Sequence, residues 1–244
     1  MNRIIKSFRK GMESLLGVKI IRTIPHGLEL GYDIKALKPT YRLHSFFDIG
    51  ANVGNTATKF ASWFPESQIY CFEPISAAFD QLSLRMRNNP RAICYRLGFS
   101  SEAGSFQMTS KGTSTGNCII TDGTAKPSVD KESVTISTLD KFTKENSVDR
   151  IGFLKIDTEG HDLKVLEGAT ELLDNKRVDF VQVECGISPT NQRHVQLSNL
   201  RDYLSDRGYV VFGFYDQTPE FSGNWSLRRV DAVFIRQTLA TEHI

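Results

Sequence analysis

No stretch of the sequence approaches the roughly 18–20 consecutive apolar residues that cross a bilayer, so a transmembrane helix is not expected. Cysteine is sparse: the 4 are Cys71, Cys94, Cys118 and Cys185, and none forms a C-x-x-C pair. Cys71, Cys94 and Cys185 stand in apolar runs, which points to buried free thiols in a reducing compartment, not a zinc site or a disulfide framework. Charge of one sign is missing too. Lys+Arg 30 against Asp+Glu 28 leaves a net charge of +2, without the basic surplus by which duplex nucleic-acid binders neutralise phosphate. Internal repeats and low-complexity tracts are absent. The start, MNRIIKSFRKGMESLLG, makes a poor signal peptide: Arg3, Lys6, Arg9 and Lys10 interrupt its apolar residues, and no small-residue cleavage site follows. A cytoplasmic protein is expected.

What is present is ordinary globular material: 244 residues, 40% hydrophobic and 24% charged. A chain of this length buries roughly 70–75% of its unfolded surface and needs no staple to fold. Two parts are expected, an N-terminal helix with a cap or linker over residues 1–44 and one α/β domain over 45–244. In residues 3–16, Ile4, Ile5, Phe8, Met12, Leu15 and Leu16 recur at helical spacing, with Arg3, Lys6, Arg9, Lys10 and Glu13 opposite. This amphipathic helix either packs on the main domain, lids a substrate, or lies on an anionic membrane as a peripheral contact through residues 1–16.

From residue 45 strands alternate with helices. Strands are expected at 45–50, 68–72, 92–97, 151–156 and 178–183, the last ending at Glu184. Helices are expected at 53–64, 76–88, 138–146, 161–174 and 194–207. Short strands near 104–110 and 133–137 flank a Gly/Ser/Thr-rich loop, 111–124, that could fold over a site as a lid. Two last strands, 209–214 and 230–236, lack an intervening helix and read as an antiparallel hairpin at the sheet edge; Trp225 and Phe221 between them could stack on a sugar. Apolar strands alternating with helices mean a mostly parallel, doubly wound sheet.

In open α/β sheets ligands bind beyond the carboxyl ends of the strands. Those ends hold Asp48 and Gly50, then Glu73, Leu97 and Gly98, Asp157 and Glu159, and Glu184. The first turn, Asp48-Ile49-Gly50-Ala51-Asn52-Val53-Gly54, is a glycine turn but not G-x-G-x-x-G. Asp48 at its head would repel a pyrophosphate and attract a cation, which argues against a nicotinamide oxidoreductase and for S-adenosylmethionine. Gly50 and Gly54 would let backbone approach that ligand, and Asn52 would offer it an amide. Glu73, 23 residues after Gly50, is placed to accept from ribose hydroxyls.

The segments FFDIGANVGNTA, CFEP and FLKIDTEGHDLKVLEGA resemble the FkbM family of S-adenosylmethionine-dependent methyltransferases. The resemblance runs from about residue 45 to 236. It implies the class I methyltransferase sheet, a Rossmann-like fold of strand order 3-2-1-4-5-7-6, and cofactor binding by the 48–54 turn and Glu73. Asp162 departs mildly, since the family often carries Glu there.

The acceptor side is expected at Asp157, Glu159, His161 and Glu184. Methyl transfer to a hydroxyl needs the proton removed, and His161 is the natural base, its pKa lowered by a helix N-terminus. Mg²⁺ shared by Asp157 and Glu184 is an alternative. Otherwise Asp157 would bind the cofactor's ammonium and Glu184 orient the acceptor. O-methylation of a small-molecule or glycan hydroxyl is the leading reading, as in natural-product or polysaccharide modification. A non-catalytic S-adenosylmethionine-binding domain is the runner-up.

Overall fold

A computed structural model describes residues 3–21, 23–37, 40–114, 116–120, 130–221 and 225–241, with side chains from residue 8. The chain falls into two compact units, Met1–Pro39 and Thr40–Ile244. The first holds α1 (Arg3–Leu16) and α2 (Leu30–Leu37). Helix α1 spans the expected residues. Helix α2 lies where only turns and linker are expected, because Gly27 and Gly31 mask its short pattern. Its Asp33 carboxylate accepts from the Gly27 amide at 2.7 Å. Among the described residues no helix is long and apolar enough to cross a membrane.

The second unit runs β1 (Ser45–Ile49), α3 (Asn55–Trp63), β2 (Gln68–Phe72), α4 (Ser76–Met86), β3 (Ala92–Tyr95), β4 (Gly98–Phe99), β5 (Gly104–Thr109), β6 (Lys131–Ser137) and α5 (Leu139–Glu145). It continues with β7 (Ile151–Ile156), α6 (Asp162–Glu167), α7 (Thr170–Asp174), β8 (Val178–Gly186), α8 (Leu197–Ser205), β9 (Tyr209–Pro219), β10 (Leu227–Arg236) and α9 (Gln237–Thr241). Seven strands form the main sheet in the order β3-β2-β1-β7-β8-β10-β9. Counted within that sheet alone, this is 3-2-1-4-5-7-6, the class I methyltransferase order. Strands β3, β2, β1, β7 and β8 are parallel, and β10 enters antiparallel between β8 and β9. A separate sheet, β4-β6-β5, rises from the region expected to be least regular.

The central strands β1, β7 and β8 are buried at every position, as expected of parallel strands covered on both faces. Alternation sorts their side chains. Phe46, Phe153 and Phe180 lie in register on one face, where Phe46 stacks on Phe60 of α3 at 3.9 Å. Phe47, Leu154 and Val181 point to the other, into a cluster with Phe72, Phe142 of α5 and Leu166 of α6. Each large side chain so buried contributes about 1.5–3 kcal/mol.

Three expectations are corrected. The helix 161–174 is two helices. A Cβ on Gly168 would stand 2.1 Å from the Ser100 carbonyl oxygen, so backbone crosses backbone there. Asp140 then supplies the new N-terminus, accepting from the Glu171 and Leu172 amides at 2.9 Å each. Strand β8 does not end at Glu184 but continues to Gly186, because β10 offers a ladder in which Glu184 faces Asp231. Cys94 is half-buried on the edge strand β3, as is Cys118 beyond β5, whereas Cys71 and Cys185 are buried free thiols.

Candidate active site

The turn after β1 is built on three left-handed residues, Gly50, Asn52 and Gly54. Gly50 has φ +77°, and a Cβ there would meet the Asp157 carbonyl oxygen at 2.1 Å. The glycine therefore lets the β1 and β7 loops touch. Asn52 also has positive φ, 47°, an unusual conformation for a residue with a side chain and one that clusters at functional sites. Its amide Nδ2 donates to the Thr113 carbonyl at 3.2 Å, while Oδ1 accepts from the Val53 amide. Gly54 packs against α4, where a Cβ would stand 2.8 Å from Leu82 Cδ1.

Glu73 is buried where β2 ends. Its Oε2 accepts from the Asn52 amide at 3.0 Å and its Oε1 from the Ile75 amide at 2.9 Å. Burial raises its pKa, and those two hydrogen bonds oppose the rise. Each oxygen retains a lone pair for a ligand hydroxyl.

Asp48 lies beneath this surface, fully buried. The cation it faces is internal. Lys155, its register partner on β7, holds Nζ 3.2 Å from Asp48 Oδ1, 3.2 Å from Asp157 Oδ2 and 3.5 Å from the Gly50 carbonyl oxygen. Burial works against the Lys155 ammonium, but Asp157 and Asp48 outweigh it and hold its pKa above the ordinary value. Asp48 is pushed up by burial, with Lys155 opposing. The expectation that Asp48 meets a ligand's charge directly is thus corrected: it anchors the lysine that holds Asp157.

After β7 the chain turns sharply through Glu159 (φ 56°) and Gly160 (φ +95°). Asp162, buried at the start of α6, organises the turn by accepting from the Gly160 and Thr158 amides at 3.2 and 3.4 Å. Burial, with Asp157 nearby, pushes its carboxyl up to about 7. His161 precedes α6, and its Nε2 lies 2.8 Å from Ser100 Oγ. Its pKa is lowered, chiefly by burial and then by Lys164. Glu167 acts in the opposite direction.

Gly50, Asn52, Glu73, Asp157, Glu159 and His161 line one cleft. Pro74, Phe99, Met108 and Ile136 form its apolar wall, beside Gly98. Ser114, Asn117 and Ile119 close it from the 111–120 segment, which folds back on β5 through an Ile119–Met108 bridge. Residues 121–124 of the expected lid lie outside the described residues. Leu97 is half-buried, and Gly54 and Glu184 are turned into packing; none of these three lines the cleft.

Glu184 instead joins a charged edge. His194 Nε2 is 2.7 Å from its Oε2, and Arg229 pairs with its Oε1. Glu159 is held by Arg193, with Nε and Nη2 each 2.7 Å from Oε2. Glu159, Glu184 and His194 bring ligand-capable atoms within 4.8 Å of one another and are the described group that could hold a metal. Both carboxylates already have guanidinium partners. Asp157, paired with Lys155, is not in that group, so the Asp157–Glu184 metal pair is not assembled.

Sequence reasoning passed over Lys155, Ser100, Arg193 and His194. Lys155 carried a readable signal, a charge inside the apolar run IGFLKI that demands a buried partner. The other three come from distant segments, and nothing local marks them.

The sequence pattern described as the Methyltransferase FkbM domain matches residues 48–211. Hexuronic acid methyltransferase AglP of Haloferax volcanii is 29% identical over 146 residues, 59% of this chain. The chain spans 57% of the length of that curated relative. Among solved structures, an rRNA methylase from Streptococcus thermophilus aligns with TM-score 0.49 and 12% identity over 88% of this chain and 98% of its own. M. capricolum TrmK in complex with S-adenosyl-homocysteine aligns with TM-score 0.47 and 11% identity over 86% and 70%.

Proposed function

The chain belongs to the methyltransferase FkbM domain family, and on that premise we propose that it transfers a methyl group from S-adenosylmethionine to a hydroxyl of a glycan sugar. The observation that carries this reading is the pairing, in one cleft, of Glu73 with Asp157 and His161.

The cleft's residues fit such a cofactor. Glu73, its oxygens steadied by two backbone amides, accepts from a ribose diol. Phe99, Ile136, Met108 and Pro74 offer an apolar face for a base. Asp157, oriented by Lys155, accepts from an ammonium. Bound there, S-adenosylmethionine supplies an electrophilic methyl group on a sulfonium.

The residues facing it deal with the acceptor's proton. His161 is kept neutral by burial, so it can take a proton from an attacking hydroxyl. In the tautomer whose Nε2–H donates to Ser100 Oγ, 2.8 Å away, Nδ1 is left to receive that proton. Thr158 and Glu159 line the acceptor end. A sugar acceptor is supported by the name of the Haloferax relative, which makes hexuronic acids the first to try. Trp225, 96% exposed, offers its ring to a sugar, whereas the Phe221 ring carries the Arg228 guanidinium 4.8 Å from its centroid.

Calorimetric titration with S-adenosylhomocysteine, with NAD as control, tests the cofactor. Saturable heat with the first and none with the second is expected. A folded, ligand-free sample that binds neither would overturn the reading. Transfer of labelled methyl to hexuronic acid glycosides, against neutral sugars, then tests the acceptor class.

A further inference from the structure

We propose that the segment from α1 to Ile21 is a docking surface for an anionic lipid bilayer, lying in the headgroup region parallel to the membrane. It is independent of the methyl-transfer reading, because the family match begins at residue 48.

The sequence positions of α1 fall on two sides of the helix. At 3.6 residues per turn, Ile4, Ile5, Phe8, Met12, Leu15 and Leu16 fall within an arc of about 120°. Arg3, Lys6, Arg9 and Lys10 share the opposite side with Glu13. The apolar side is exposed: Phe8 is 71% and Leu15 81% accessible. Beyond the helix Val18, Ile20 and Ile21 are exposed as well, with Lys19 among them in the sequence. Large apolar side chains so exposed and so close together mark an interaction surface.

The charge selects the occupant. Glu13 is the one acidic residue among residues 1–21, and it is engaged locally, accepting from the Ile20 amide at 3.0 Å and facing Arg9 at 3.5 Å. Basic residues flanking an apolar stripe suit a surface that is hydrophobic below and negative above. An anionic leaflet has that order, as interfacial amphipathic helices exploit. A second copy of this chain would bring the same positive charges together. Helix α1, at 14 residues, is too short to span a bilayer but long enough to lie on one.

The test uses the full chain and sedimentation with vesicles of phosphatidylcholine alone or with one-third phosphatidylglycerol. The wild type should sediment with the anionic vesicles and be released by high salt. Leu15→Asp should abolish sedimentation. Lys6→Glu with Lys10→Glu should weaken it at least about tenfold, each charge near the surface counting separately. Both variants should keep the wild-type affinity for S-adenosylhomocysteine, or the wild-type circular dichroism and melting if no homocysteine binding is found. Absence of sedimentation, equal sedimentation with neutral vesicles, or no effect of these variants would overturn the proposal. So would a dimer, seen by analytical ultracentrifugation, that Leu15→Asp dissolves.

Discussion

Lys155 stands directly across from Asp48 in the β7–β1 register, and its Nζ lies 3.2 Å from Asp48 Oδ1 with both side chains buried. Removing the lysine leaves the carboxylate buried without a counter-charge. Lys155→Met should therefore destabilise the fold by about 3–5 kcal/mol. Asp48→Asn in the same chain should recover much of that loss. Urea denaturation of the single and double variants measures both; additive effects would mean that the pair is not coupled.

Glu73→Gln keeps the shape of the side chain but removes its charge. Losing charge-assisted contacts worth about 1.5–3 kcal/mol should weaken S-adenosylhomocysteine binding about 10- to 100-fold. Calorimetry on the folded variant is the readout. Unchanged affinity would remove Glu73 from the cofactor site.

Because burial depresses the His161 pKa, the base form persists at neutral pH. The rate, kcat/KM, should be flat near neutrality and fall only below pH 6.5, the ordinary histidine value. His161→Ala should lower turnover about 10²–10⁴-fold and erase that acidic limb. Ser100→Ala, which takes away the hydroxyl 2.8 Å from Nε2, should lower kcat more than it changes KM and shift the limb. A pH–rate profile common to all three proteins would exclude His161 as the base.

Asp162 makes stability depend on pH. Its carboxyl is near 3.8 when free and pushed up to about 7 in the fold, by burial first. A raised folded pKa means that the stabilisation is complete below about pH 3.8 and is lost as pH rises towards 7. Asp231, raised by burial to about 6, acts in the same direction. Asp162→Asn cannot ionise and keeps one acceptor oxygen, so it still meets one of the Gly160 and Thr158 amides, which the carboxylate meets with separate oxygens. Its stability should drop less than the wild type's between pH 4 and 7, by about 2–4 kcal/mol. Denaturation curves across that range decide it.

Much of this fold was legible because each central strand is apolar at every position and ends in a polar turn. IGFLKI and VDFVQVE read as interior strands of a parallel sheet, while the order β3-β2-β1-β7-β8 is what the family resemblance implies. The break at Gly168 was not legible. A glycine amid Leu166, Glu167 and Ala169 looks like a tolerated helix residue until Ser100 is seen to cross it. Of the small sheet β4-β6-β5, two strands match the short strands expected near 104–110 and 133–137; the two-residue β4 and the pairing across a long loop were not legible.

The candidate site divides in the same way. Local sequence alone placed Gly50, Asn52, Glu73, Asp157, Glu159 and His161 at strand ends, because turn chemistry and apolar periodicity are properties of neighbouring residues. Only tertiary structure turned Asp48 inward to Lys155, since that depends on strand register. It alone set Ser100 beside His161, and Arg193, His194 and Arg229 around Glu159 and Glu184. Those partners lie ten or more residues apart in the chain, and electrostatics acts through space, where sequence separation has no meaning.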